Sequence, residues 1–152
     1  MIKVQPDDFD VGFETDELIG ERTDIGAVVT FVGRVRDLHS DKSLSTMTLE
    51  HYPGMTEKML AEIEAEARAR WPIDDSLIIH RYGRLEPGDN IVLVITASAH
   101  RKAAFEANEF LMDWLKTKAP FWKQESSEDG DDWVEATTAD DEAAARWATE
   151  TT

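Results

Sequence analysis

The sequence predicts an α+β fold with a mainly antiparallel sheet and two main helices. Two long segments repeat apolar residues at helical spacing, and a proline closes each of them, Pro72 the first and Pro120 the second. Segments 26–36 and 90–99 are instead continuous apolar runs rich in β-branched residues, which favours strands. Residues 129–130 are Asp-Gly, a pair typical of hairpin turns. Two main helices beside such strands are typical of an α+β domain.

Several short elements precede the first main helix. We expect them to be a strand over 1–4, a helix over 8–20, a strand over 26–36, a polar loop over 37–43 and a strand over 44–52. Gly33 predicts a bulge or a close backbone approach within its strand. Pro53-Gly54 predicts a turn, and Thr56 is placed to cap the helix that follows.

The first main helix runs to about Trp71 and has one apolar face. The residues expected to point inward are Met59, Leu60, Ile63 and Ala67. A strand over 75–82, turn residues over 83–89 and a strand over 90–99 come next. Segment 90–99 is the most apolar of all, so we expect it at the centre of the sheet.

The second main helix has its first turn at His100 and Arg101. On a 3.6-residue wheel its core stripe contains Ala104, Ala107, Asn108, Leu111 and Leu115. Lys116 falls on the flank of that stripe together with Phe105 and Met112, roughly 100° away. The wheel therefore predicts that Lys116 leaves the helix at the edge of an apolar surface.

An extended segment over 121–126 follows Pro120. Because side chains alternate along a strand, Phe121, Lys123 and Glu125 share one side. At the other end of the helix, free backbone N–H groups beside His100 and Arg101 attract anions. We interpret the whole segment as an anion pocket, with the His-Arg pair meeting the lysines if the chain folds back.

Each of these cations has a simpler interpretation. Lys116 and Lys123 are also favourable as solvated lysines after a helix C-terminus. If their ammonium groups met at ~4 Å, repulsion would reach about 4 kcal/mol at an effective dielectric of ~20. One lysine would then be neutral, and so a base or nucleophile, or an anion would lie between them.

The remaining histidines and arginines also admit structural roles. His100 with Arg101 is equally consistent with a helix cap, and Arg34 and Arg36 with solvent-facing residues at a strand end. The His80-Arg81 pair favours a structural or turn role. His51 follows Glu50 but lacks a third ligand at sensible spacing, so we expect no metal site.

The composition excludes several classes of function. The chain has 152 residues with a net charge of −16, which disfavours nucleic acids and anionic membranes as partners. Cysteine is absent, which removes disulfides, thiolate metal sites and a thiol nucleophile. No apolar run approaches a membrane span or a signal peptide, so a cytoplasmic location is expected. The acid excess is also consistent with adaptation to high salt.

The carboxyl-terminal end is strongly acidic. Between residues 125 and 142 there are nine carboxylates and no Lys or Arg. Residues 133–135 are expected to form the second strand of a hairpin, and 140–147 a terminal helical turn. We interpret residues 1–152 as a single domain whose last part, about 126–152, is an acidic segment.

Five motifs in this order resemble the MoaE family, the large, catalytic subunit of molybdopterin synthase. They are GAVVTFVGRVR at 26–36, LEHYPGMT at 49–56, HRYGRL at 80–85, SAHR at 98–101 followed by Ala104 and Phe105, and DWLKTKAPFWKQE at 113–125. The resemblance implies an α/β hammerhead fold with a small antiparallel sub-domain. It also implies a homodimer at the centre of a heterotetramer, each subunit holding a small ubiquitin-like sulfur carrier.

The reaction implied by the resemblance is conversion of cyclic pyranopterin monophosphate to molybdopterin, without a cofactor. The sulfurs of the dithiolene come from the thiocarboxylate at the carrier's C-terminus. The family's catalytic positions correspond here to Lys116 and Lys123, and its substrate pocket to Arg36, His100 and Arg101. Four adjacent residues of the same motifs are expected to bind substrate with them, namely Arg34, Val35, Gln124 and Glu125.

Thr137 stands where the family often has a basic residue, so a pocket role there is in doubt. Two other functions remain open from the sequence. One is a non-catalytic binding module for a ubiquitin-like protein. The other is an unrelated phosphate-ester enzyme that uses Lys and His and needs no protein partner.

Overall fold

The computed structural model describes residues 1–36, 44–127, 130–134 and 138–150, and only the backbone of 44–45, 122–127, 130–134, 138 and 149–150. The strands are β1 (Ile2–Gln5), β2 (Ala27–Arg34), β3 (Leu44–His51), β4 (Asp75–Arg81), β5 (Gly83–Leu85), β6 (Asn90–Ser98), β7 (Phe121–Ser127) and β8 (Gly130–Val134). The helices are α1 (Val11–Ile19), α2 (Met55–Arg70), α3 (Arg101–Thr117) and α4 (Thr138–Arg146), and α4 continues into a 3-10 turn (Trp147–Glu150). The predicted α+β class with two main helices is confirmed.

The strands form two separate four-stranded sheets. The first has the order β1-β4-β6-β2 and the second β5-β3-β7-β8. In the described strands every pairing is antiparallel except that of β1 with β4. The second sheet corresponds to the small antiparallel sub-domain that the resemblance implies. The predicted loop over 37–43, together with Asp129, Glu135 and Thr137, lies outside the described residues.

The two inner strands of the first sheet, β4 and β6, are buried on both faces. Ile78 and Val94 pack on one face against apolar residues of α2 and α3, among them Ile63 and Leu111. Leu77, Ile79, Leu93 and Ile95 point to the opposite face, where Phe9, Val11 and Leu18 cover them. Strand β6 lies between β4 and β2, which confirms its predicted central position.

Helix α3 packs against the first sheet through the predicted stripe. Ala104, Ala107, Asn108 and Leu111 are buried, and Leu115 is partly buried. The amide of Asn108 donates 3.1 Å hydrogen bonds to the carbonyls of Val29 in β2 and Val94 in β6. These bonds satisfy a buried polar group and fix the helix on two strands at once.

Two local predictions have different outcomes. Gly33 is confirmed as a bulge and a close approach, because the register shifts there and an added Cβ would lie 2.7 Å from Val92 Cγ1. Thr56 is not the helix cap, since α2 begins at Met55 with Gly54 as its N-cap. Glu57 accepts a 2.6 Å bond from the Gly54 N–H instead, while the Thr56 hydroxyl donates back to the Tyr52 carbonyl.

Two predicted boundaries also shift. Residues 83–85 form strand β5 rather than part of a turn, because Leu49 and Met47 of β3 offer a free edge to pair with. The carboxyl-terminal helix α4 has nine residues rather than a single turn. It is secured by buried Trp147, whose indole N–H donates a 2.6 Å bond to Asp113.

Candidate functional site

The two ends of α3 lie at opposite ends of the first sheet. Helix α3 begins just after the last residue of β6, Ser98, and packs back along that strand. Strand β2 runs antiparallel to β6, so Arg34 lies opposite Asn90, at the end that α3 reaches with Lys116. The structure therefore brings the Arg34–Arg36 segment and Lys116 to one end and leaves His100 and Arg101 at the other.

The predicted pocket is consequently split within one chain. From Arg101 to Lys116 the helix advances fifteen residues, or about 22 Å at 1.5 Å per residue. That separation is beyond the reach of the two side chains toward each other. Within one chain, the His-Arg pair therefore does not meet Lys116.

The N-terminal end of α3 is open to an anion. His100 is the N-cap with no side-chain capping bond, and the first turn contains no acidic residue. Both His100 and Arg101 are exposed. The first N–H groups of the helix and the Arg101 guanidinium thus face solvent together, which suits a phosphate or carboxylate.

At the other end, Lys116 lies in the last turn of α3 and is exposed. It forms no hydrogen bond or ion pair with any residue in the described ranges. The chain then turns through 118–120, where the Phe121 N–H donates to the Ala119 carbonyl, and enters β7. Among the described residues, Lys116 is therefore a cation without a structural partner, next to the junction of the two sheets.

Lys123 lies in the second sheet. Its Cα is opposite Leu49 of β3 on one side and Val134 of β8 on the other. Gln124 and Glu125 follow in the same strand, opposite Thr48 and Met47. Only the backbone is described there, so the approach of Lys123 to Lys116 stays a prediction.

The segment 34–36 connects the sheets, and its three residues differ in availability. Arg34 Nη2 donates a 2.6 Å bond to the Gly88 carbonyl. Val35 is buried with Leu49 and Leu85, and its N–H and carbonyl pair with Asp89 and Gly88. Arg36 is exposed. Within the segment, Arg36 has the guanidinium best placed for a ligand, while Val35 anchors it.

A cluster of rings beside Lys116 was not recognised in the sequence as part of the site. His80 is buried, and its ring stacks on Phe121 with centroids 3.7 Å apart and planes 16° apart. His51 lies opposite Phe121 in the β3–β7 register, and its ring lies 4.4 Å from that of Tyr82. The predicted structural role of His80 agrees with its burial, but only the tertiary structure places its ring against the first residue of β7.

His80 is uncharged near neutral pH. Its pKa is lowered from 6.5 to about 4, mainly by burial and also by the nearby positive charges of Lys116 and His51, while a hydrogen bond to the Arg81 carbonyl opposes the shift. A neutral ring beside Lys116 adds no positive charge to the site.

The described side chains include no group of three or more His, Cys, Asp or Glu placed to hold a metal ion. In the same ranges, no helix combines the length and the apolar character needed to cross a membrane.

Comparison with known proteins gives consistent matches along the chain. The family model described as MoaE protein matches residues 4–118. The molybdopterin synthase catalytic subunit of Escherichia coli (strain K12) is 57% identical over 146 residues, covering 96% of this chain and 97% of that protein. The Pseudomonas aeruginosa protein of the same name is 55% identical over 146 residues, with the same coverage of both chains.

Solved structures give the same result. The molybdopterin biosynthesis MoaE protein from Burkholderia ambifaria superposes with a TM-score of 0.84 at 53% identity, covering 99% of each chain. Molybdopterin synthase from Staphylococcus aureus superposes with a TM-score of 0.81 at 35% identity, covering 87% of this chain and 95% of that one. A chain from a Helicobacter pylori complex of molybdopterin-converting factor subunits, 19% identical with a TM-score of 0.71 over 90% of each chain, shows the fold alone.

Proposed function

This chain belongs to the MoaE family, and we propose from that premise that it is the catalytic subunit of a molybdopterin synthase. The observation that carries the proposal is its 57% identity over nearly its whole length with a protein of that name. The reaction is sulfur transfer from the thiocarboxylate of a small ubiquitin-like carrier to cyclic pyranopterin monophosphate. It forms the dithiolene of molybdopterin. The single-domain organisation and the cytoplasmic location stay predictions.

The chemistry of the described residues suits this reaction. The chain has no cysteine, so sulfur has to be delivered by a partner. The substrate carries a phosphate, and Arg36, Lys116 and the open N-terminus of α3 are exposed cationic groups in an acidic protein. A carrier's C-terminal tail needs both apolar and cationic contacts, and the exposed Lys116 and the partly buried Phe121 are groups of these two kinds.

We assign the residues as follows. Lys116 is the acid, base or amine nearest the carrier carbonyl, and Lys123 stabilises negative charge as the thiocarboxylate attacks and the cyclic phosphate opens. Arg36, His100 and Arg101 bind the phosphate and the pterin. Arg34 and Val35, at the end of β2, hold Arg36 in place, and Gln124 and Glu125 do the same for Lys123 in β7.

The 22 Å between the ends of α3 leads us to propose that each site is shared by two copies of the chain. Apolar side chains are exposed close to the His100 end. Phe105, one turn from Arg101, is 60% exposed, and Val28, paired with Ala97, is 40% exposed. A second copy covering this surface in the homodimer would bring its Lys116 end to the first copy's Arg101.

Mixed dimers test this sharing. Lys116→Ala and Arg101→Ala chains are co-expressed with different tags, and the mixed dimer is purified through both tags. A shared site leaves one of the two sites intact, so the mixed dimer should keep about half of the wild-type activity. A site contained within one chain predicts an inactive mixed dimer, because each site then has one defect.

The function itself is tested by reconstitution. This protein, the thiocarboxylated carrier and cyclic pyranopterin monophosphate are mixed, and molybdopterin is assayed with each component omitted in turn. Product that requires all three components supports the proposal. A stable complex with the carrier but no product would instead indicate a binding module, and turnover without the carrier an unrelated phosphate-ester enzyme.

A further inference from the structure

Helix α4 lies beyond residue 118, where the match to the family model ends, and it packs against the end of α3 that carries Lys116. It has nine residues, and isolated helices of that length are marginal in water. Its position therefore depends on contacts with the rest of the chain. Two of those contacts meet at Asp113 of α3, three residues before Lys116.

Trp147, which follows the last residue of α4, is the apolar anchor of this contact. It is 7% exposed, and its ring lies edge-on to the rings of Trp71 and Phe110, with centroids 5.5 Å and 5.6 Å away. Its carbonyl accepts a 2.8 Å hydrogen bond from Arg70 Nη1. Because these partners belong to α3 and to the end of α2, Trp147 fixes α4 across two helices at once.

The polar part of the contact is at Asp113. Its Oδ2 accepts a 2.6 Å hydrogen bond from the indole N–H of Trp147 and a 3.1 Å bond from Arg146 Nη2. The Asp113 side chain is 17% exposed, so competing water is largely excluded from these bonds. The Arg146 guanidinium also lies over the Trp147 ring, 4.4 Å from its centroid. Helix α4 thus holds α3 about one turn before α3 ends.

The last turn of α3 lacks a glycine closure. Residues 118–120 are Lys-Ala-Pro, and the C-cap residue Lys118 has a φ of −121° rather than the left-handed conformation that commonly closes a helix. Helix ends open at a low free-energy cost unless other contacts hold them. Lys116 lies in this turn and bonds to no described residue, so the backbone alone fixes where its side chain begins.

The same contact closes a loop that contains Lys123. The chain leaves α3 at Thr117, forms β7 and β8, and returns to α3 with α4. Joining the two ends of a loop removes conformational freedom from the residues between them. Helix α4 therefore restrains the segment that contains Lys123 as well as the helical turn that contains Lys116.

We propose that α4 is a clamp on the last turn of α3, and that Trp147 and Asp113 are positioning residues for Lys116. The clamp keeps this turn helical and so fixes the point from which the Lys116 side chain extends. Both residues act through the backbone of α3 rather than on the substrate. The consequence for catalysis rests on the proposed function, whereas the hold of α4 on the helix does not.

Three variants of the full chain separate the clamp from general stability. Trp147→Ala removes the anchor, and Trp147→Phe keeps a ring but removes the N–H that bonds to Asp113. Glu109→Ala is the matched control, because it removes only an exposed ion pair between α3 and Arg146.

The 13Cα chemical shifts of residues 116–118 report how much of the time the last turn is helical in the folded protein. We expect the helical part of these shifts to fall by about half in Trp147→Ala, by less in Trp147→Phe and not at all in Glu109→Ala. Residues 107–108, in the middle of α3, should keep their wild-type shifts in all three variants. A purely global loss of stability would leave the shifts of the folded protein unchanged.

Kinetics of the reconstituted system test the positioning. Each variant is assayed well below its melting temperature, so that the molecules compared are folded. We expect kcat to fall about tenfold in Trp147→Ala while KM for the pterin and carrier affinity stay unchanged, because a displaced Lys116 weakens the transfer step alone. Trp147→Phe should recover much of this loss, and Glu109→Ala should have the wild-type kcat.

The outcomes separate this inference from the proposed function. Wild-type shifts at residues 116–118 in both Trp147 variants, or equal losses at residues 107–108, would overturn the clamp whether or not the protein makes molybdopterin. A loss confined to the last turn supports the clamp even if the reconstituted system yields no product, but such a loss with a wild-type kcat would overturn the positioning role. If Trp147→Ala does not fold, Trp147→Phe against Glu109→Ala gives the same decision.

Discussion

The two sheets have the same number of strands but very different cores. Strands β4 and β6 of the first sheet are buried on both faces, under α2 and α3 on one side and α1 on the other. The buried apolar residues of the second sheet that are described form one small cluster, Met47, Leu49 and Leu85 with Val35. The first sheet therefore supplies most of the stability, since apolar burial is the main favourable term in folding.

The proposed catalytic groups lie in the second sheet, which has the smaller core, or at its junction with the first sheet. Lys123 is in the second sheet, and Lys116 and Arg36 lie where the two sheets join. Burying several cations close together in a core costs free energy. A small sheet attached to the rigid first sheet can instead present them to a ligand. Substitutions should thus separate into those that unfold the protein and those that stop the reaction.

The largest expected effect on activity is that of Lys116→Ala. We expect molybdopterin formation to fall about a thousandfold or more, because the lysine acts directly in the transfer. Circular dichroism and carrier affinity should not change, since Lys116 is exposed and has no structural partner in the described residues. Lys118→Ala is the control, and appreciable turnover in Lys116→Ala would refute its role.

The largest expected effect on stability is in the first sheet. Leu93 is fully buried between β4 and β2 and the residues of α1, so Leu93→Ala should lower the free energy of unfolding by about 4 kcal/mol. Urea unfolding measures it. Met55→Ala, at a position 47% exposed, should change stability by less than about 1 kcal/mol. Similar losses in both variants would contradict the assigned core.

Buried His80, at the junction of the two sheets, should make the stability of the protein depend on pH. The pKa of His80 is lowered from 6.5 to about 4 by burial, so below pH 6.5 the unfolded chain binds a proton that the folded chain resists. Stability is therefore complete above about pH 6.5 and is lost as the pH falls toward 4, by about 3 kcal/mol in total.

Urea unfolding of the wild type and of His80→Phe across this range measures the contribution of the imidazole. The difference in stability between pH 7 and pH 4 should be smaller in His80→Phe by about the same 3 kcal/mol. Equal pH dependence in the two proteins would mean that His80 is protonated in the folded state as readily as in the unfolded state.

Among substitutions of buried residues, the smallest effect on stability should come from the second sheet. Leu49 belongs to the four-residue cluster, so Leu49→Ala should cost about 2 kcal/mol, less than Leu93→Ala. Its Cα is opposite that of Lys123, so activity should fall more than the loss of folded protein explains. Activity proportional to the folded fraction, or a stability loss equal to that of Leu93→Ala, would remove the distinction between the sheets.

Much of this fold could be predicted from local sequence patterns. The α3 stripe, the central position of β6 and the bulge at Gly33 all follow from periodicity and residue type. The cap at Thr56 was wrong because a buried threonine hydroxyl bonds back to Tyr52, which depends on how the preceding turn closes. Strand β5 was missed because three residues form a strand only when a neighbouring edge is available.

The residues of the candidate site could be predicted from the sequence, but their arrangement in space could not. The motifs indicate Lys116, Lys123, Arg36, His100 and Arg101 through the family resemblance, and the structure then separates the ends of α3 by about 22 Å. The ring of His80 against Phe121 joins residues 41 positions apart on different sheets. No periodic pattern encodes such a contact.

The sequence by itself determined the fold class, the main helices, the central strand and the family, because these depend on patterns that each segment carries alone. Tertiary structure alone decided the stacking of the His80 ring on Phe121, the burial of His80 and the division of the cationic groups between two ends of one helix. The first two depend on strand register and on packing between residues distant in the chain. The third follows from the length of α3, because a rigid helix keeps the groups at its two ends apart even when one anion could bind both.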